Sequence, residues 1–118
     1  MKIAIVGSRN LKVDIPEWAI PDGVTMIYSG AAIGIDTSAR RYAREHGILI
    51  TEILPEYDLY GRIAPLKRND IIIDKADEVY IFWDGKSRGS DYVIKKCIEK
   101  KKPYHLFKFI DNEFYEIT

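Results

Sequence analysis

A short segment at residues 84–90, DGKSRGS, combines two glycines, two hydroxyls and two cations. Glycine lets the backbone turn tightly, while serine, lysine and arginine supply hydrogen-bond donors and positive charge. The pattern differs from a Walker A loop, because Lys86 lies between the glycines and not after the second one. It predicts an anion or phosphate site, although a turn in which Ser90 caps the next helix fits as well. The residues of this predicted site are Gly85, Ser87, Arg88, Gly89 and Ser90.

A second candidate is GSR at residues 7–9, directly after the first apolar run. Gly7 permits a tight turn and a close backbone approach, Ser8 adds a hydroxyl, and Arg9 adds a forked cation. These residue types fit contact with a phosphate or a carboxylate. A plain turn with a surface arginine explains them equally well, so both interpretations stay open.

The segment SGAAIGID, residues 29–36, follows the second apolar run. Gly30 and Gly34 flank a turn into a helix, and the free N–H groups at a helix start attract anions. The spacing and the position after the second strand differ from a dinucleotide-binding GxGxxG. Asp36 fits either a favourable interaction with the helix dipole or acceptance of hydrogen bonds from ribose hydroxyls.

Five further residues could complete a nucleotide site. Arg68 and Asn69 lie about one turn into a predicted helix, where Asn has a poor helix propensity. This placement suggests a polar contact, and a solvated pair is the alternative. Tyr57, Tyr60 and Trp83 could stack on a base, or they could pack in the core or in a lid.

The elements that would position these residues follow from hydrophobic patterning. Apolar runs bounded by Gly and Pro predict strands that are buried on both faces. Amphipathic spacing between the runs predicts helices, of which the last has Ile94, Cys97 and Ile98 facing inward. The predicted strands are 2–6, 24–29, 48–54, 78–83 and 104–110, and the predicted helices are 34–46, one beginning near Pro65, and 90–101.

Alternating strands and helices predict one α/β domain over residues 1–118, a Rossmann-like, three-layer arrangement. Right-handed crossovers favour a mainly parallel sheet of order 3-2-1-4-5 with helices on both faces. The segment IDNEFYEI, residues 110–117, predicts a short antiparallel edge strand, and residues 10–23 allow at most a short helix around Trp18. Ligands bind such sheets at the switch point, here between the first and fourth strands.

Composition narrows the classes of function. Lys plus Arg equals Asp plus Glu at 18 each, so no global positive field attracts nucleic acid or a membrane. We expect the single cysteine, Cys97, to be an inert residue of the core. No apolar run is long enough for a signal peptide or a membrane span. His46 and His105 lack metal-ligand spacing. We therefore expect a cytoplasmic protein without a metal or a cofactor.

Together, IVGSR, SGAAIGIDTSARRYAREHG and APLKRNDIIIDKADEVYIFWDGKSRGS resemble the SLOG superfamily in its YspA/YpsA-like branch, related to DprA and the LOG phosphoribohydrolases. The resemblance covers residues 1 to about 107, with the motifs in family order. It implies a Rossmann-like fold that binds a nucleotide or a nucleotide-derived ligand. The site residues that it implies are Gly7, Ser8, Arg9, Ser29, Gly30, Gly34, Asp36, Arg68, Asn69, Asp84, Gly85, Ser87, Gly89 and Ser90.

The chain differs from both the LOG hydrolases and the DprA proteins in specific ways. LOG hydrolases carry a PGGxGTxxE-type loop, and aligning Gly89 and Ser90 with its Gly-Thr puts Tyr92 and Val93 where acidic residues belong. DprA proteins use flanking domains with single-stranded DNA, for which this chain has no room.

These observations predict a small nucleotide-binding module, such as a ligand sensor. Phosphate would lie on the glycine loops after the second and fourth strands, with Arg9 and Arg88 neutralising its charge. Asp36 would bind ribose, and Tyr57 or Trp83 would contact the base. The alternatives are a nucleotide N-glycosidase using Asp36 or Asp84, and a single-stranded nucleic-acid binder, which the zero net charge disfavours. A homo-oligomer is compatible with each of these.

Overall fold

Six strands form one sheet in the computed structural model, which describes residues 1 to 118. The sheet order is β3-β2-β1-β4-β5-β6, with parallel pairing throughout except for the antiparallel pair of β5 and β6. The predicted order and the C-terminal edge strand are therefore confirmed. The strands are β1 (Lys2–Gly7), β2 (Met26–Ser29), β3 (Leu49–Glu52), β4 (Glu78–Trp83), β5 (Tyr104–Ile110) and β6 (Glu113–Glu116).

Two predicted strands are too long, because their apolar flanks pack without joining the sheet. Val24 before β2 and Ile48 before β3 lie against the core but outside the ladder. The turn between β5 and β6 has Asp111 and Asn112 at positive φ, 50° and 67°. Two successive left-handed residues suit the tight turns that join antiparallel strands.

Helices cover both faces of the sheet, as predicted. On one face α1 packs with the loop that follows β1, and on the other face α3 and α4 pack together. A single 3-10 turn at Glu17–Ala19 is the only helical element in the first long loop. The α-helices are α1 (Ile35–His46), α2 (Tyr57–Tyr60), α3 (Ala64–Lys75) and α4 (Arg88–Lys100), and a second 3-10 turn spans Gly61–Ile63.

The two faces have different cores. On the α1 side, Phe82 stacks on Phe107 at 4.8 Å between ring centroids and meets Phe114 edge-on at 5.2 Å. The α3 and α4 side is aliphatic, with Ile73 and the thiol of Cys97 fully buried. Cys97 is thus a core residue, and burial raises the pKa of its thiol to about 11.

The start of α4 differs from the prediction. The helix begins at Arg88 and not at Ser90, so Arg88 lies in the first turn of the helix and not in a loop. The Asp84 carboxylate stabilises the turn before this start, because its Oδ1 accepts the N–H groups of Lys86 and Ser87, each at 2.8 Å. Ser87 occupies the N-cap position, and the predicted capping role of Ser90 is wrong.

The predicted inward side of α4 was also partly wrong. Val93 and Cys97 form its buried stripe, while the Ile98 side chain is 60% exposed. Ile98 neighbours Cys97 along the helix and therefore projects about 100° away from it. No helix of the chain is long and apolar enough to cross a bilayer.

His105 ties the edge strand β6 to the rest of the sheet. Its Nε2 lies 2.8 Å from Glu78 of β4 and its Nδ1 lies 3.1 Å from Glu116 of β6. The ring stacks on Tyr80 with 4.5 Å between centroids. Burial lowers the pKa of His105, but the hydrogen bonds and charges of both glutamates outweigh burial and raise it above its usual value.

We predict a pH-dependent contribution of His105 to stability. A pKa that is raised on folding stabilises fully below the unfolded pKa of about 6.5, and the stabilisation is lost as pH rises through the folded pKa. The free-energy difference of unfolding between wild type and His105→Gln is therefore larger near pH 5.5 than near pH 9. Urea unfolding at both pH values measures it. Glu116→Gln removes one partner and reduces the effect; an equal difference at both pH values contradicts it.

Candidate functional site

Two adjoining cavities lie at the carboxyl ends of the central strands. The first, named here the mixed cavity, has a volume of about 290 Å³ and lies between the ends of β1, β2 and β3 and the first turns of α3 and α4. Seven of its 17 lining residues are hydrophobic, including Leu54, Leu66 and Val93. Apolar walls with a few convergent polar groups are typical of small-molecule sites.

The second, named here the polar cavity, lies between the loops that follow β1 and β4. Its volume is about 450 Å³, and no hydrophobic residue lines it. It matches the position that the sheet order predicts for a ligand, next to the switch point between β1 and β4. The lining residues shared with the mixed cavity are Gly7, Arg9, Gly89 and Ser90.

The predicted site residues divide between the two cavities. Asp36 and Arg68 are among those that line only the mixed cavity. Asp84, Ser87 and Arg88 line only the polar cavity. The complete predicted set in the mixed cavity is Gly7, Arg9, Gly30, Asp36, Arg68, Asn69, Gly89 and Ser90.

Four predicted residues line neither cavity and support the lining residues from behind. Ser8 and Ser29 are buried, and Gly85 packs against the Lys108 side chain. Gly34 has a φ of 77°, and a Cβ there would overlap the carbonyl groups of Ser8 and Arg9. Only glycine therefore lets the loop after β1 approach the start of α1 so closely.

Sequence reasoning missed two polar lining residues, Asn10 and Lys86. Both lie in the polar cavity. Each is adjacent in sequence to a predicted residue, Asn10 to Arg9 and Lys86 to Gly85, and this adjacency was the available signal.

Asp36 is a mostly buried carboxylate in the mixed cavity, 7% exposed. Burial raises the pKa of Asp36, against a hydrogen bond from the Ala32 N–H at 3.1 Å and the positive charge of Arg68. The nearby Ser29 hydroxyl also lowers this pKa, although no hydrogen bond of normal geometry satisfies Ser29 Oγ. Asp36 Oδ1 and the Ser29 hydroxyl therefore have no protein partner in a hydrogen bond of normal geometry.

Arg68 joins the ends of β2 and β3 beneath the mixed cavity. Its Nη1 donates to the carbonyls of Gly30 and Ile53, and its Nε donates to Asn69 Oδ1 at 2.8 Å. Burial lowers the pKa of Arg68, and the neighbouring Asp36 opposes this. A Cβ at Gly30 would lie 2.5 Å from Arg68 Nη1, so these hydrogen bonds of Arg68, named here the clamp, require glycine at position 30. Arg68 Nη2 and the Asn69 amide N–H groups have no protein acceptor.

The loop after β2 contains a strained residue. Ala31 has a φ of 58°, a left-handed conformation that a side chain with a Cβ disfavours. Its neighbours hold it there, since Gly30 O accepts from Arg68 and the Ala32 N–H donates to Asp36. Ala31 and both neighbours line the mixed cavity. Backbone strain of this kind is common at binding sites.

A chain of serine hydroxyls joins the two loops of the polar cavity. The Asp84 N–H donates to Ser8 Oγ at 2.9 Å, Ser8 Oγ lies 3.1 Å from Ser87 Oγ, and Ser87 Oγ donates to Ser90 Oγ at 3.0 Å. Burial raises the pKa of Asp84, but the N–H groups of Lys86 and Ser87 outweigh this and lower it. Asp84 is therefore an ionised carboxylate engaged with its own loop.

Positive charge exceeds negative charge among the residues that line the polar cavity. Arg9, Lys86 and Arg88 are exposed lining residues. None of them forms a salt bridge with a carboxylate. The only acidic lining residue is Asp84. The cavity thus favours an anion.

The aromatic candidates separate into different roles. Tyr57 lines the mixed cavity and is 59% exposed, so its ring is accessible to a ligand. Trp83 lines neither cavity, and its indole N–H donates to Ser87 O at 3.0 Å. The ammonium group of Lys67 lies over the Tyr60 ring, with 5.9 Å between Nζ and the ring centroid.

No protein-family model, curated protein or solved structure matches this chain. The resemblance to the SLOG superfamily therefore stays a prediction. The site itself defines a class, an α/β domain with a cavity lined by three cations beside a smaller, partly apolar cavity at the strand ends. No group of three or more His, Cys, Asp or Glu side chains forms a metal-ligand cluster.

We predict that Arg68→Met destabilises the fold by about 2 to 4 kcal/mol, because hydrogen bonds made by a charged group contribute roughly 1.5 to 3 kcal/mol each and are partly replaced by water. Arg68→Lys does not restore stability, since a single ammonium does not reproduce the planar fork. Chemical denaturation measures both variants. Arg62→Met is the control: Arg62 is exposed without a hydrogen bond, so a change within about 0.5 kcal/mol is expected. Equal effects of Arg68→Met and Arg62→Met contradict the clamp.

Proposed function

We propose that this protein is a nucleotide-binding module that senses a ribonucleotide or a ribonucleotide-derived ligand. The observation that carries the proposal is the pair of adjoining cavities with contrasting chemistry, one partly apolar with a carboxylate and one polar with three cations. A nucleotide has the same two halves, an apolar, hydroxyl-bearing nucleoside and a phosphate. The proposal is compatible with a location in the cytoplasm and with assembly into a homo-oligomer.

The nucleoside fits the mixed cavity. Its volume of about 290 Å³ lies at the lower end of the range of about 300 to 1,000 Å³ that is usual for small-molecule sites, so the phosphate must extend outside it. Asp36 Oδ1 supplies an unused acceptor for a ribose hydroxyl, and Asp36 lines this cavity. Tyr57 offers an accessible ring for the base.

The phosphate fits the polar cavity. Arg9 and Arg88 flank it, and the first N–H groups of α4 have no acceptor within the helix. A Cβ at Gly89 would meet no atom within 4 Å, so the space above this first turn is open to a ligand. Of the two glycine loops expected to hold phosphate, the one after β4 has this arrangement, while the one after β2 lies with Asp36 in the mixed cavity.

We predict that a phosphorylated ribonucleotide raises the melting temperature, since a ligand at 100 times its dissociation constant adds roughly 2.7 kcal/mol. The 2′-deoxy analogue binds about tenfold more weakly, and Asp36→Asn reduces that difference. A thermal-shift panel of ribonucleotides, deoxyribonucleotides and short DNA measures both effects. Asp22→Asn is the control, because Asp22 is exposed and precedes β2 at the opposite end of the sheet. An unchanged melting temperature with every nucleotide at millimolar concentration contradicts nucleotide binding.

An N-glycosidase is the second candidate, and the buried carboxylate of Asp36 favours it. Burial raises the pKa of Asp36, as is common for catalytic acids. Where the resemblance to LOG hydrolases places acidic residues, this chain has Tyr92 and Val93. Val93 lines the mixed cavity with an apolar side chain, and the Tyr92 hydroxyl donates to Asp70 at 2.9 Å. Asp84 is engaged by its own loop. Binding without turnover is therefore the better supported function.

We predict no multiple-turnover release of free base from nucleoside monophosphates, because the position of the LOG-type glutamate holds Tyr92 or Val93. Chromatography of the incubation mixture over several hours measures free base. Release that exceeds one equivalent per protein molecule, and that Asp36→Asn abolishes while Asp22→Asn does not, would establish the hydrolase instead.

A further inference from the structure

We infer that the ligand carries two or more linked phosphates, so that a nucleoside diphosphate or triphosphate is preferred to a monophosphate. This inference rests on the proposed nucleotide function and deepens it by naming the ligand class. It follows from the direction of the serine hydroxyl chain and from the size and charge of the polar cavity.

The hydroxyl chain has a fixed direction. The Asp84 N–H can only donate, so Ser8 Oγ accepts from it, and the single proton of Ser87 is donated to Ser90. Ser87 therefore has no proton left for Ser8, whose own proton has two acceptors within reach, Ser87 Oγ and the Asp84 carboxylate. The proton of the Ser90 hydroxyl then remains without an acceptor in the protein.

Ser90 therefore specifies the chemistry of the atom that a ligand places beside it. The side chain is nearly completely buried, with the residue 4% exposed, and it lines both cavities. An unused donor in such a place requires an acceptor, because a buried polar group without a hydrogen bond is costly. A phosphate oxygen at the boundary of the two cavities meets this requirement and marks the position of the first phosphate.

The polar cavity continues beyond that boundary. It is larger than the mixed cavity, about 450 Å³ against about 290 Å³, and it contains Arg9, Lys86 and Arg88. Of the charged residues, Lys86, Arg88 and the carboxylate of Asp84 line the polar cavity alone, so the part beyond the boundary has one more cation than anion. Lys86 and Arg88 line the polar cavity alone, so a phosphate at the boundary leaves them for a second anionic group. A β-phosphate linked to the first is the group that a nucleotide offers there.

Isothermal titration calorimetry tests this with adenosine, AMP, ADP and ATP, and with the corresponding guanine, cytosine and uracil series. For the base that binds best, we expect the diphosphate to bind at least tenfold more tightly than the monophosphate. Lys86→Ala and Arg88→Ala weaken diphosphate binding about tenfold and monophosphate binding much less, because a charge-assisted contact is lost only with the second phosphate. Ser90→Ala weakens monophosphate and diphosphate binding by the same factor, because both ligands place their first phosphate beside it.

Lys95→Ala is the matched control, because Lys95 is an exposed lysine on α4 that pairs with Asp91 outside both cavities. Thermal unfolding confirms that each variant is folded before titration. Equal affinity for monophosphate and diphosphate overturns the inference and leaves nucleotide binding intact. An equal loss in Lys95→Ala and Lys86→Ala also overturns it, since general attraction to charge then explains the preference. Absence of binding by every nucleotide overturns both the inference and the proposed function.

Discussion

Ser8 is the point at which the four elements around the site are joined. Its N–H donates to Phe82 O at 3.0 Å, its carbonyl accepts from the Ile35 N–H at 3.3 Å, and its hydroxyl accepts from the Asp84 N–H. One buried residue thus connects the end of β1 with β4, with the start of α1 and with the loop before α4. Because each group is satisfied, a shift of any one element breaks a hydrogen bond in a place that water does not reach.

The site is built from polar atoms that the protein leaves partly unsatisfied. Ser29 Oγ has no hydrogen-bond partner, and neither the Ser90 proton nor Arg68 Nη2 has an acceptor. Of these residues, Ser29 and Ser90 are buried, and an unsatisfied buried group destabilises the folded state by about 1 to 3 kcal/mol. A ligand that supplies an acceptor to Ser90, which lines both cavities, removes part of this destabilisation, so affinity and stability depend on the same hydroxyl. Asp36 and Arg68 add opposite charges whose pKa values burial shifts toward the neutral forms.

The sheet order and the strand positions were predictable, because the apolar runs are short, bounded by Gly or Pro, and joined by right-handed crossovers. The start of α4 was not, since Ser87 and Ser90 are both good capping residues and only the contact of Asp84 with its own loop decides between them. α2 was missed for a different reason. None of its residues is buried, so it has no apolar periodicity to detect.

The candidate residues were predicted better than their grouping. Eleven of the predicted site residues line one cavity or both, but nothing in the sequence indicated that the loops after β2 and β4 serve separate cavities. The role of Arg68 was equally hidden. Its acceptor carbonyls belong to residues 38 and 15 positions away, and only the folded chain brings them together.

The burial of Cys97 gives the chain an internal reporter of motion. It is the single thiol, it is fully buried, and it lies on the helix whose first turn lines both cavities. Only the thiolate reacts readily with alkylating reagents, and burial has raised the pKa of this thiol to about 11. Alkylation therefore requires α4 to separate from the sheet, and its rate follows the equilibrium of that local opening. A ligand that holds the first turn of α4 in place would thereby slow the alkylation of Cys97, an atom that lines neither cavity.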